Sequence, residues 1–252
     1  MAFDVLPGDP GSPVILHVPH ASRALVESGL YPDVSGELDH LTDAYTDEIA
    51  LLAADLTAIR PWIFVNRLSR LVVDPERFTD DEMVQVGMGP VYTHGHAGGR
   101  LRDDDPERDK VLLRDHFRPY AEAMTALVDK RLTATGRAYV IDVHSYPTER
   151  LRYELHGDGP RPPVCLGTDR FHTPAGLVAA GRAAFPESAL DSPFAGCYVP
   201  LKHYHRDPAV RALMIEIRRD QYMSEPGGPP HAGLTAIGRA LAVLVDRLPA
   251  TG

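Results

Sequence analysis

A chain of 252 residues with 44% hydrophobic and 24% charged residues can bury a core and is too balanced for wholesale disorder. Its net charge of −9, with no basic stripe to neutralise phosphates, argues against a nucleic-acid partner, and no run approaches the roughly 18 apolar residues of a membrane span. The two cysteines, Cys165 and Cys197, follow no segment of signal-peptide type and are expected as reduced thiols in a cytoplasmic protein.

Pro13 to Val18, PVILHV, follows a Gly/Pro-rich leader and reads as the first strand. His17 lies inside it and is expected to face a neighbouring element, whereas His20, past Pro19, stands where a loop turns over the sheet. After a turn-rich segment at Tyr31 to Gly36, Thr42 is placed to cap a helix over Asp43 to Ile59, with Ile49, Leu52, Ala53 and Leu56 on one face. Asp43 and Asp47, four apart, then project from the same side of its first turns, although acidic residues at a helix start also simply complement the dipole.

Trp62 to Val65 reads as a second strand and Leu71 to Val73 as a short third. Arg67, Arg70 and Arg77 cluster around them, either as a solvated face or as a planar clamp for a carboxylate. Thr79 to Arg108, rich in Gly, Asp and His, is expected as a long mobile loop over the site. His94 and His96 within it read as surface residues rather than ligands. Pro106 to Thr133 is the longest helical stretch, kinked or divided at Pro119 and ended by Gly136.

Ala138 to Pro147, AYVIDVHSYP, is a buried strand that delivers Asp142, His144 and Ser145 to its carboxyl end, where ligands of α/β sheets bind. Thr148 to Pro163 is turn-rich; Val164 to Leu166 is a short strand, Pro174 to Phe185 an amphipathic helix and Phe194 to His205 a second site loop. In the strand Ala212 to Ile217, Glu216 is flanked by Met214, Ile215 and Ile217, so its carboxylate must face a cation, a metal or a substrate proton. Leu234 to Leu248 closes the chain as a helix. No repeat or linker divides residues 1–252, so a single α/β domain is expected.

Catalytic zinc takes three protein ligands, commonly two histidines and a carboxylate, and keeps a fourth position open. His20, Asp47 and His144 are the natural triad here, with Asp43 as the alternative carboxylate and Glu216 as the base. The ligands are scattered and no HExxH run marks them.

At HVPHAS, YTDEI, SRLVVDPERF, VIDVHSYP, LGTDRFHTP and MIEIRRDQYM, from near residue 14 to near residue 223, the chain resembles the N-formylglutamate amidohydrolase family, itself similar to the zinc carboxypeptidases. That resemblance implies a central mixed β-sheet flanked by helices, of the phosphorylase/hydrolase-like kind, and one zinc per chain. The implied reaction cleaves the formyl amide of N-formyl-L-glutamate to formate and glutamate, in histidine degradation. It implies His20, Asp47 and His144 as ligands, Glu216 as general base and Arg70 as a second catalytic group, with Arg77, Ser145 and Arg218 binding substrate. The chain departs from the family where an Asn-Arg follows VVD, having Pro75, Glu76 and Arg77 instead. Other small acyl amino acids are the alternative substrates, and the oligomeric state is open. A non-catalytic binding domain would have no need of Glu216. A metal-free serine hydrolase built on Ser145 would need the strained Gly-x-Ser-x-Gly turn that DVHS lacks.

Overall fold

In the computed structural model, which describes residues 2–78, 82–155 and 159–248, one seven-stranded sheet runs through the molecule in the order β1-β3-β2-β4-β7-β5-β6. The strands are β1 (Phe3–Leu6), β2 (Val14–Val18), β3 (Trp62–Asn66), β4 (Ala138–Tyr146), β5 (Val164–Gly167), β6 (Ser188–Leu190) and β7 (Val210–Arg218). β3, β2, β4 and β7 are mutually parallel, while β1 on β3 and β5 on β7 pair antiparallel, so the sheet is mixed, as expected.

Strand alternation divides the core in two. Val14, Leu16 and Val18, Tyr139, Ile141 and Val143, and Leu213, Ile215 and Ile217 face helices α2 (Thr46–Leu56), α5 (Ala175–Ala184) and α6 (Gly233–Arg247). Ile15, Ala138, Val140, Val210 and Ala212 face Tyr120, Met124, Leu127 and Val128 of α4 (Arg118–Thr135). Each fully buried aliphatic side chain contributes about 1.5–3 kcal/mol, so both faces stabilise the sheet. α6 crosses close over α2 because Gly238 has no Cβ, which would stand 2.6 Å from Leu52 Cδ2.

The same alternation puts His17, Asp142, His144 and Glu216 on the α4 side of the sheet, in residues that α4 covers only over the amino-terminal half of the strands. The uncovered half is the site.

Several elements differ from expectation. Phe3–Leu6 forms an edge strand in what read as a leader, and β6 is a three-residue strand too short to show in the sequence. Leu71 to Val73 is buried but is not a strand; Val72 N–H closes a turn on Ser69 O at 2.9 Å. Thr42 ends the unforeseen helix α1 (Ser35–Leu41) instead of starting α2. The long helix is broken just before Pro119, where α3 (Pro106–Leu112) passes through a π turn at Leu113–Phe117 into α4, and Gly136 closes α4 at φ 73°. Within the expected mobile loop, the described residues 82–108 are held by Met83, Met88, Tyr92 and Leu101, packed with Leu41 and Leu71. Thr79, also in that loop, lies outside the described residues. Among the described residues no helix is long and apolar enough to cross a membrane.

Candidate metal centre

Three ligand atoms converge where β2 and β4 leave the sheet. His20 Nδ1 and His144 Nδ1 lie 3.3 Å apart, and Asp43 Oδ2 stands 3.2 Å from His144 Nδ1 and 3.6 Å from His20 Nδ1. Zinc bonds of about 2.0–2.1 Å at tetrahedral angles separate ligand atoms by about 3.3–3.4 Å, so this spacing fits that ion with one side open.

The carboxylate in this cluster is Asp43, not Asp47. The helix begins only at Thr46, after Tyr45 at φ 66°, so Asp43 lies in the preceding turn and the four-residue helical spacing does not apply. Its N–H donates to His20 O at 3.0 Å, which fixes the turn against the β2 exit loop. Asp47 is half-buried, with Oδ2 3.5 Å from Arg67. The ligand set that geometry supports is therefore His20, Asp43 and His144.

Each of these groups is held from behind. Arg219 Nη2 and Ser145 Oγ donate to Asp43 Oδ1 at 3.1 and 3.3 Å, leaving Oδ2 to the histidines. His20 Nε2 donates to Asp74 Oδ1 at 2.9 Å, which holds the proton on that nitrogen, so that loss of the Nδ1 proton would turn a lone pair toward the centre. Asp74 Oδ2 accepts from Arg70 Nη2 at 2.7 Å and Tyr92 OH at 2.5 Å. His144 Nε2 lies 3.1 Å from both Glu76 and Asp142 but is aligned with neither. Asp142 also accepts from His17 Nδ1 at 2.8 Å and from Tyr198 N–H at 3.2 Å, tying the loop after Phe194 to the centre. Tyr120 OH, 2.5 Å away, occupies the other nitrogen of His17.

Electrostatics point the same way. The cavity, of about 530 Å³, is lined by four carboxylates, Asp43, Glu76, Asp142 and Glu216, against two arginines, Arg70 and Arg77: a surplus of two negative charges. A buried surplus of that size is costly unless a cation offsets it. Burial acts to raise the Asp43 pKa, but hydrogen bonds from His144 and His20 outweigh it and hold the carboxyl well below its usual range. Burial likewise lowers the pKa of His144, yet Asp142 and Glu76 carry it well above the ordinary imidazole value. Protons on the histidines answer the same demand for positive charge that a dication would meet.

Glu216 pairs with His144 across the sheet and reaches into the cavity, where its Oε2 makes no hydrogen bond among the described residues. Burial, only partly offset by His144, pushes its carboxyl up to about 7.

The N-formylglutamate amidohydrolase family model matches residues 12–223. The chain belongs to that family. The structure is similar to that of an N-formylglutamate amidohydrolase from Ralstonia eutropha JMP134, with TM-score 0.85 at 20% identity, covering 99% of this chain and 98% of that one. A gene product from Agrobacterium tumefaciens has TM-score 0.71 at 18% identity, over 99% and 95% of the two chains. At such identities the likeness is one of fold. No curated protein sequence matches the chain.

The family's remaining expected residues divide. Arg70, Arg77 and Ser145 line the cavity. Ser145 bonds Asp43 and accepts from Arg219 Nε at 3.1 Å, so it is placed to support the ligand rather than to meet substrate. Arg218 does not line the cavity; its guanidinium holds Asp220 at 2.8 Å and the carbonyl of Arg161. The arginine that reaches the centre is its neighbour Arg219, 3% exposed. Asp74 and Glu76, with Arg219, are the site residues that sequence reasoning missed; Arg219 follows directly on the last residue of β7, Arg218, at the start of a short 3-10 turn. His96 donates to Glu37 at 2.8 Å, and neither it nor His94 belongs to a ligand cluster among the described residues.

Arg219→Lys keeps the charge but not the fork that holds Asp43 and Ser145 together. Metal affinity, measured by chelator competition, is expected to fall about 10- to 100-fold, as for loss of other outer-shell partners.

Proposed function

We propose that the protein is a metal-dependent hydrolase of the amide bond in N-acyl amino acids, with N-formyl-L-glutamate as the first substrate to test. The convergence of His20 Nδ1, Asp43 Oδ2 and His144 Nδ1 beside the unpartnered oxygen of Glu216 carries the reading. A divalent cation held there, zinc by its donor set, would polarise the scissile carbonyl and acidify water.

The chain's own groups do the rest. Glu216 takes a proton from the attacking water as its oxygen bonds the acyl carbon, and passes that proton to the nitrogen as the C–N bond breaks, releasing the carboxylic acid and the amine. Its pKa near neutrality suits both transfers. Arg70, locked by Asp74 and Tyr92, presents a fixed positive charge to the developing oxyanion or to a substrate carboxylate, with Arg77 as the second clamp.

The test is hydrolysis of N-formyl-L-glutamate beside a neutral formyl amino acid by zinc-loaded protein. If an arginine clamps the side-chain carboxylate, Arg70→Lys or Arg77→Lys penalises the first substrate more than the second by about 1.5–3 kcal/mol in kcat/KM. Equal losses would place that arginine at the oxyanion. No hydrolysis of any acyl amino acid would overturn the reading.

A further inference from the structure

A second depression, of about 740 Å³, lies along the outer side of α4 and shares Phe78, Tyr198 and Leu201 with the catalytic cavity. The shared wall is apolar, and Leu201 is 61% exposed, a large aliphatic side chain left in solvent where the two spaces meet. The π turn supplies Leu113 and Phe117 to the groove, and α4 adds Ala121 and Ala126. Of its charged groups, Lys202 and Asp129 pair with each other at 2.7 Å, and Arg118 and Glu122 stand on the same helix face beside the apolar side chains.

The catalytic cavity alone exceeds the need of N-formylglutamate. A space of about 530 Å³ falls in the range that buries a drug-sized ligand, whereas that substrate has only about a dozen non-hydrogen atoms. Once the carbonyl is fixed at Glu216 and the carboxylate on the arginines, the space left over is walled by Phe194, Tyr198, Val199, Leu201 and Tyr204. An apolar acyl substituent is the part of an acyl amino acid that such walls favour.

We propose that the groove along α4 is an acyl-chain subsite, and that the protein's substrates carry a medium-length apolar acyl group whose tail passes over Leu201 between Phe78 and Tyr198. This inference rests on the amide-hydrolase reading above. Each methylene moved from water onto the groove contributes binding worth about a three- to fourfold change in affinity.

The experiment uses zinc-loaded Glu216→Gln protein, in which turnover is expected to be slow enough for binding to be read, titrated calorimetrically with N-butanoyl-, N-hexanoyl- and N-octanoyl-L-glutamate. Kd is expected to fall about three- to fourfold per methylene. In Ala126→Trp, made at an exposed helical position, the gain from hexanoyl to octanoyl should vanish; in Leu201→Asn the whole rise should flatten. A Kd independent of chain length, or a rise that both variants leave intact, overturns the subsite. Hydrolysis of the same compounds by the wild-type protein reports separately on the parent reading: turnover with flat chain-length dependence sinks the groove alone, and length-dependent binding without turnover sinks the hydrolase alone.

Discussion

Glu216→Gln is expected to lower kcat by about 100- to 10,000-fold while zinc content stays at wild-type level, because the amide cannot accept the water's proton and Glu216 is not among the three converging ligands. As a base the carboxyl must be ionised, so wild-type turnover falls as pH drops through its pKa. That pKa stands at about 7 by burial, with protonated His144 acting to lower it; a bound dication takes the place of that proton and acts in the same direction, so the acid limb lies near pH 7. The limb should be absent from the residual activity of the variant. Stability gives an independent sign. The folded-state pKa lies above the ordinary 4.5, so Glu216 by itself destabilises the metal-free wild type increasingly as pH rises from about 4.5 to about 7, and its contribution is constant beyond. Metal-free Glu216→Gln, with nothing to ionise, should melt no lower than wild type at pH 8. Wild-type turnover in the variant would make Glu216 structural.

How far this site was legible in the sequence follows from which residues sit on ladders. His144 and Glu216 lie on the two longest strands, where a run of β-branched residues marks the element and period-two alternation gives the face, so both could be placed before the structure. Asp43 could not, because one left-handed residue, Tyr45, decides where α2 starts, and nothing local demands that conformation of a tyrosine. Asp74 and Arg219 were equally hidden. Each acts across more than 50 residues, Asp74 on His20 and Arg219 on Asp43, and such contacts leave no periodic trace. The described residues 82–108 show what composition hides: among polar neighbours, Tyr92 is fully buried with its hydroxyl on Asp74, so a few well-placed apolar residues anchor a polar segment.

Asp43→Asn should strip the metal, and Asp47→Asn should not. Asparagine has the shape of aspartate, and its carbonyl oxygen can still accept from Arg219 and Ser145 on the side where Asp43 Oδ1 now does. The amide nitrogen then takes the place of Oδ2 and points its hydrogens at the two histidines, so a lone pair is missing where the third ligand is needed. Alanine would be a poorer test, because it leaves Arg219 buried opposite nothing, and breaking a buried ion pair on one side costs about 3–5 kcal/mol. The asparagine variant should stay folded and lose more zinc affinity than the roughly 10- to 100-fold expected for an outer-shell change. Asp47, paired with Arg67 outside the cluster, should keep about one zinc per chain after the same substitution, with full turnover. Metal content of the dialysed variants decides between the two carboxylates: zinc lost from Asp47→Asn and kept by Asp43→Asn would mean that the metal binds elsewhere than at the point where His20 and His144 converge.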